Sequence, residues 1–239
     1  MATAAEIHQL LKATSLPSDL VEKLVADAPA VWLVGERAAV LAGDLALCHP
    51  PLGDDEVRAV LRSTNHPTRW RLTVLAHDRP RLMADTAGTL ASEGLPVHSV
   101  SATGWPAVGT AMHSMVVTVP RRRRWQRPDW DALGRRLKSV LAGDELVEVD
   151  FQPSPPVSVT VTPDVTGQCL VQVDAPDRVG LLWAITSWFA AHGVNVEAAT
   201  ASRRRRRARG TFLVTGDVDS TSLLGALSGT TGVSAAPDR

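Results

Sequence analysis

The sequence predicts an α+β fold: two copies of one β-α-β-β-α-β unit, each with an additional leading strand, behind a short helical segment. Three observations carry this prediction. First, HDRPRLMADTAGTLASEGLPV (His77 to Val97) and PDRVGLLWAITSWFAAHGVNV (Pro176 to Val196) align without a gap at a constant offset of 99 residues. Asp78/Asp177, Arg79/Arg178, Leu82/Leu181, Gly94/Gly193 and Val97/Val196 coincide, with Leu72/Val171 and Val74/Val173 in register ahead of them. A repeat of this kind fixes the unit of architecture before any other reading. Second, helical and strand periodicities alternate in the same order in both copies. Third, Pro153-Ser154-Pro155-Pro156 separates the copies as a linker. The expected domains are therefore a helical region at 1–54, a first repeat at 55–152 and a second at 153–239.

In the helical region, residues 4–13 and 18–27 read as helices, the second with Ser18 as N-cap after Pro17. Glu36 to Cys48 reads as a third, ended by His49-Pro50-Pro51. Its broad apolar stripe of Val40, Leu41, Leu45 and Leu47 requires something to pack on.

In the first repeat, Glu56 to Thr64 is an extended run that turns at Asn65-His66-Pro67 into a strand from Trp70 to Ala76. After Asp78, the residues Met83, Thr86, Ala87, Leu90 and Ala91 share one helical face, and Gly94 stops the helix. Strands follow at Val97 to Thr103 and Thr110 to Val119. A helix capped by Asp129 or Asp131 runs to Leu141, and Glu145 to Phe151 reads as a last strand.

The second repeat places strands at Val157–Thr162 and Gln168–Asp174, a helix from about Gly180 to His192, strands at Val194–Ser202 and Thr211–Thr215, and a short helix from Ser220 to Leu227. Val233 to Ala235 is left for a vestigial final strand. This order is the ferredoxin-like split βαβ arrangement, an antiparallel sheet with helices on one face. Leu182, Ile185, Thr186, Phe189 and Ala190 fill the helix's core stripe. Leu181, Trp183 and Trp188 lie beyond it, and either cap the core edge or dock another module.

Composition narrows the function classes. The 25 basic and 25 acidic side chains balance, so no global field draws the chain to nucleic acid or a membrane. Lysine occurs only at 12, 23 and 138, and such an arginine-rich composition lowers the weight of any arginine run. Cys48 and Cys169 are isolated, which argues against a disulfide scaffold or a thiolate zinc site. MATAAEIHQLL lacks the features of a signal peptide and no segment is long enough to span a bilayer, so a cytoplasmic protein is expected.

The pattern of strand, D-R-x-G-L-L, helix, G-V-N-V, strand resembles the ACT domain, a regulatory module that binds small molecules. More narrowly, residues 55–239 resemble the tandem ACT region at the C-terminus of the bifunctional uridylyltransferase/uridylyl-removing enzymes of bacterial nitrogen control. There, too, each domain is introduced by an additional strand. The resemblance implies a non-catalytic allosteric sensor, without cofactor or metal, that binds an amino acid or similar metabolite between paired domains. A regulated protein partner or a homodimer is implied as well. The pocket would combine the turn Asp177, Arg178, Val179, Gly180 and Leu181 with the second-strand amide Asn195.

The residues suit that role. The turn enters a helix N-terminus, where unpaired N–H groups and the dipole favour a carboxylate. Gly180 permits close backbone approach, and Asp177 and Asn195 can accept hydrogen bonds from an ammonium group. In the first repeat Asp78 is kept, but Arg81 replaces the glycine and Pro96 the asparagine. If the repeats pair with each other, one pocket joins the intact turn to Pro96 and the other joins Arg81 to Asn195.

Other chemistries fit less well. No G-S segment followed by paired aspartates precedes the repeats, so a nucleotidyltransferase metal site has no ligands. His77-Asp78 lacks further histidines at metal-ligand spacing, and His98 and His113 on neighbouring strands read as surface histidines rather than a metal pair. The runs Arg121–Arg124 and Arg203–Arg207 are the rival signal, the first followed by Trp125 and Trp130. Dense arginine with aromatics suits nucleic acid or nucleotides, against a reading as solvated loops, the second at a hairpin tip.

Overall fold

A computed structural model describes residues 2–14, 16–119 and 129–229. The helical region contains α1 (Ala4–Leu11), α2 (Ser18–Ala26), α3 (Ala30–Leu33) and α4 (Ala38–Leu45), the last continued by a 3-10 turn over Ala46–Cys48. A reciprocal capping box opens α1: Glu6 N donates to the Thr3 hydroxyl and Thr3 N to the Glu6 carboxylate. Ser18 is the first residue of α2 and Pro17 takes the cap position, where its missing N–H costs nothing. The four-residue α3 is too short to leave a periodic signal.

The first repeat runs β1 (Arg58–Ser63), β2 (Arg69–His77), α5 (Leu82–Ser92), β3 (Val97–Trp105), β4 (Thr110–Thr118) and α6 (Trp130–Ala142). The second runs β5 (Ser158–Pro163), β6 (Gln168–Pro176), α7 (Leu181–Ala191), β7 (Asn195–Arg204), β8 (Arg207–Thr215) and α8 (Ser220–Ser228). All eight strands join one antiparallel sheet in the order β1-β2-β4-β3-β7-β8-β6-β5.

The halves therefore pair with each other through β3 and β7. Ser101 lies opposite Thr200, its own counterpart at the offset of 99, and Ser99 and Thr103 lie opposite Ser202 and Ala198. A pseudo-two-fold axis passes through that pair. Beside it α5 packs on α7, with Trp183 seated over Gly88: a Cβ there would lie 2.7 Å from the indole Cδ1. The module that Trp183 docks is the sister repeat, while Leu181 and Trp188 are buried in the core.

Glu145–Phe151 is not a strand. β1 lies against β2 and holds the sheet edge where a closing strand of the first repeat would pair. The segment instead crosses the helix face, with Val147 beside Gly88 and Val149 and Phe151 beside Gly180. Val233–Ala235, Arg121–Arg124 and Trp125 lie outside the described residues.

Helices cover one face of the sheet in both repeats, but the first repeat is covered on the other face too. There α1, α2 and α4 build a second core with Leu75, Trp105 and Met112 of the sheet. In β2 the residues from Arg71 to Ala76 are consequently all buried, whereas Gln172 on β6 faces solvent between buried Val171 and Val173. Asp44 of α4, fully buried, fixes the contact: it accepts hydrogen bonds from Arg71, from Thr73 Oγ1 at 3.0 Å and from Ser114 Oγ at 2.8 Å. Arg71 also pairs with Glu36 at 2.9 Å. Further along, Trp32 meets Trp105 edge-on at 5.6 Å. Gly35 sits over the pseudo-axis, where a Cβ would lie 2.8 Å from Ser101 Oγ.

Candidate functional site

β6 ends at Pro176, and the next residue, Asp177, donates its backbone N–H to the Arg206 carbonyl at 2.8 Å, which holds the turn against the β7–β8 hairpin. Gly180, at φ +87°, then swings the chain into α7. Only glycine enters this left-handed region without steric cost. The turn opens onto a cavity of about 50 Å³ that both repeats line. The first repeat contributes Ala87 and Ala91 of α5 and Leu95 to Val100 without Pro96. The second contributes Asp177, Arg178, Gly180, Leu181, Trp183, Ile185, Arg203 and Phe212 among others. Most of its lining is apolar, with Asp177, Arg178 and Arg203 among the polar residues.

At the mouth, Arg203 Nε lies 2.7 Å from Asp177 Oδ2. Burial raises the Asp177 carboxyl above its ordinary value, against the opposing pull of Arg203 and His98. His98 is lowered by its own burial and by Arg69 and Arg203, with Asp177 acting the other way. Arg178 donates to Ser154 Oγ at 3.0 Å, which ties the turn to the linker. The first N–H groups of α7 emerge at Gly180, so an anion here meets both the helix N-terminus and a guanidinium.

The pseudo-axis generates a second cavity of about 30 Å³, lined by Asp78, Arg79, Arg81, His113, Thr186 and Asn195 among others. Glu197 stands where the first cavity has His98, and Gly104 stands where it has Arg203. Asp78 is raised by burial and by the Glu197 charge. Asn195 donates its side-chain amide to Glu197 at 3.0 Å. Arg81 occupies the glycine position at φ +69°, its guanidinium 3.7 Å from Asp85.

Of the residues singled out in the sequence, Asp177, Arg178, Gly180 and Leu181 line the first cavity, and Asp78, Arg81 and Asn195 the second. Val179 is exposed, and the Pro96 carbonyl accepts from Thr118 N at 2.9 Å at the end of the sheet. The residues missed are His98, Ser99, Glu197 and Arg203. The repeat itself held the signal for three of them, since the constant offset sets His98 against Glu197 and Gly104 against Arg203.

Two readings of the sequence need correction. The Arg203–Arg207 run is exposed from Arg203 to Arg206 and forms a hairpin tip, as read, but little of it is loop: Arg203 and Arg204 end β7, Arg207 begins β8, and the turn is Arg205-Arg206. Arg203 pairs with Asp177, and Arg207 and Arg209 pair with Asp174, so two carboxylates offset part of this cationic surface. His98 and His113 do not face each other, because His113 lies opposite Ala102. Nor is His113 a surface residue. It is buried with its Nδ1 3.5 Å from Thr86 Oγ1, and burial pushes its pKa down to about 4. Among the described residues no group of three His, Cys, Asp or Glu could hold a metal ion, and no helix is long and apolar enough to cross a membrane.

The fold and the paired cavities define an α+β protein of two ferredoxin-like repeats joined edge to edge. Residues 170–229, from β6 to α8, match the family model of the ACT domain. That match supports a regulatory, small-ligand-binding role in general. Among solved structures, an aspartate kinase from Synechocystis is 18% identical, with a TM-score of 0.41, over 77% of this chain and 31% of that one. This chain thus spans about a third of that kinase. The regulatory subunit of aspartate kinase from Thermus thermophilus is 14% identical, with a TM-score of 0.24, over 72% and 93% of the two chains. A search of curated protein sequences finds no match.

Proposed function

We propose that this protein is a non-catalytic regulatory module, and that an amino acid or similar small metabolite binds in the cavity at the Asp177 turn. The observation that carries this reading is that both repeats line the cavity, so that a molecule held there touches both sides of the β3–β7 junction. A ligand shifts a conformational equilibrium only by binding one arrangement better than another, and a site divided between two units meets that requirement directly. The proposed signal is a change in how the halves pair, read by a protein partner. The division at residues 54 and 152, a cytoplasmic setting and the likeness to the nitrogen-control enzymes belong to this reading.

One site per chain is expected. The second cavity has Arg81 in place of the glycine and already engages Asn195 with Glu197. The test is a thermal-shift screen of the full chain against the twenty amino acids, followed by titration calorimetry of any hit. A ligand of the native state raises the apparent melting temperature. The expected result is at least one stabilising amino acid bound once per chain and lost in Asp177→Ala. Failure of every amino acid at millimolar concentration overturns the proposal.

A further inference from the structure

The ion pair at the mouth of the first cavity bears on what can enter. Asp177 is the carboxylate available to an incoming ammonium, and Arg203 already holds it at 2.7 Å. An ammonium that takes Asp177 must displace the guanidinium. Arg203 is then left on a strand end beside the mouth without its carboxylate, unless the incoming molecule supplies one. An α-amino acid does so: its carboxylate is one carbon away from its ammonium, so insertion replaces one ion pair with two. A simple amine strands Arg203, and a simple carboxylate must compete with Asp177 for it. Charge-assisted, two-point recognition of this kind is where arginine surpasses other cations.

The depth of the cavity selects the side chain. Its walls are Ala87, Leu95, Val173, Ile185 and Phe212. The buried polar atoms left without a partner among the described residues, on Trp32, Ser101, Thr110 and Ser187, belong to no residue that lines it. Apolar side chains make up most of the lining, so a polar side chain buried among them loses more hydration than the few hydroxyls there, on Ser99 and Ser202, can return. Resting on the function proposed above, we infer that Arg203 is the specificity-determining residue of this cavity. It yields Asp177 to the ligand's ammonium and takes the ligand's carboxylate, while an apolar side chain fills the wedge between α5 and α7. Gly104, in the equivalent place, gives the second cavity no such group.

The experiment is calorimetry on the full chain with L-valine, L-leucine and L-phenylalanine against L-serine, L-aspartate and L-lysine. The tightest ligand is then compared with its amine and its des-amino acid, which for leucine are 3-methylbutylamine and 4-methylpentanoate. An apolar amino acid should bind best, with each fragment weaker by about tenfold or more. Arg203→Gln should weaken the amino acid by about tenfold or more but leave the amine as tight as before or tighter, since the guanidinium no longer competes for Asp177. Arg203→Lys should recover part of the loss. Unchanged amino-acid affinity in Arg203→Gln overturns the inference. So does an equal loss for amino acid and amine, which would mark a merely structural arginine. Binding of only the polar amino acids overturns it while leaving the proposed function standing; binding of none overturns both.

Discussion

Gly180 offers a perturbation whose two consequences can be separated. At φ +87° any other residue adopts a left-handed conformation, which costs about 1–2 kcal/mol. A Cβ would also lie 3.0 Å from Val149 Cγ1 and 3.6 Å from Phe151 Cδ2, so the strap between the repeats must shift slightly. Against this, restricting the unfolded chain returns about 0.4–1 kcal/mol. The net expectation for Gly180→Ala is a loss of about 1 kcal/mol, or a fall in Tm of about 2–4 °C for a chain of this size. Gly180→Arg should lose a similar amount, because Arg81 stands at φ +69° in the equivalent turn of the same protein. The variants part at the cavity, where alanine adds one methyl and arginine a long cation beside the helix N-terminus. Urea melts should therefore give similar midpoints, while calorimetry should show binding kept in Gly180→Ala and abolished in Gly180→Arg. Equal affinities in the two folded variants would remove this turn from the site. An unchanged melting curve for Gly180→Ala would refute the strain calculation.

Two further perturbations test the packing beneath the site. Asp44→Ala leaves Arg71 buried with Glu36 as its remaining carboxylate and should cost about 3 kcal/mol; a urea-derived loss below about 1 kcal/mol would show that the latch on the outer sheet face contributes little. His113, lowered to about 4 in the folded protein, takes up a proton more readily when unfolded. The stability this neutral histidine supports is therefore complete above about pH 6.5 and is lost as the pH falls toward 4, by on the order of 3 kcal/mol. His113→Leu should flatten that part of the profile, and an unchanged slope would assign the acid sensitivity to other groups.

The repeat made the fold legible because its periodicities sit in register: the stripe of α5 and the stripe of α7 occupy the same offsets, and the strands around them follow. Two features were hidden. The double burial of the first repeat's half of the sheet depends on helices well upstream, and no local pattern in RWRLTVLAH says which element covers the second face. The strand expected at Glu145–Phe151 failed because pairing is a competition for an edge, and β1 had taken it. At the candidate site, Asp177 and Gly180 were legible as turn chemistry, while Asn195 lines the second cavity. Arg203 was not legible, because a run of five arginines reads as solvated charge until the β7 register shows that its first member reaches back to the turn.

Covalent fusion gives the asymmetry of the two cavities a physical sense. In a dimer of identical units, a two-fold axis forces both interface sites to carry the same side chains, so a change that closes one closes the other. Here the axis through Ser101 and Thr200 relates residues that differ, and each substitution falls in one cavity only. Arginine for Gly180, glycine for Arg203 and glutamate for His98 are all present at the second cavity without touching the first. The first keeps its glycine turn and the Asp177–Arg203 ion pair. The second gathers Asp78 beside Glu197, secures Asn195 and lies against the buried His113. Because β3 and β7 pair across the junction, a movement at one end of these strands must be accommodated at the other. The axis lies beneath Gly35, which joins the upstream helices to the same junction. On the proposed function the ligand would meet one end of this junction, while the second cavity lies at the other and Gly35 of the helical cover sits over the axis between them.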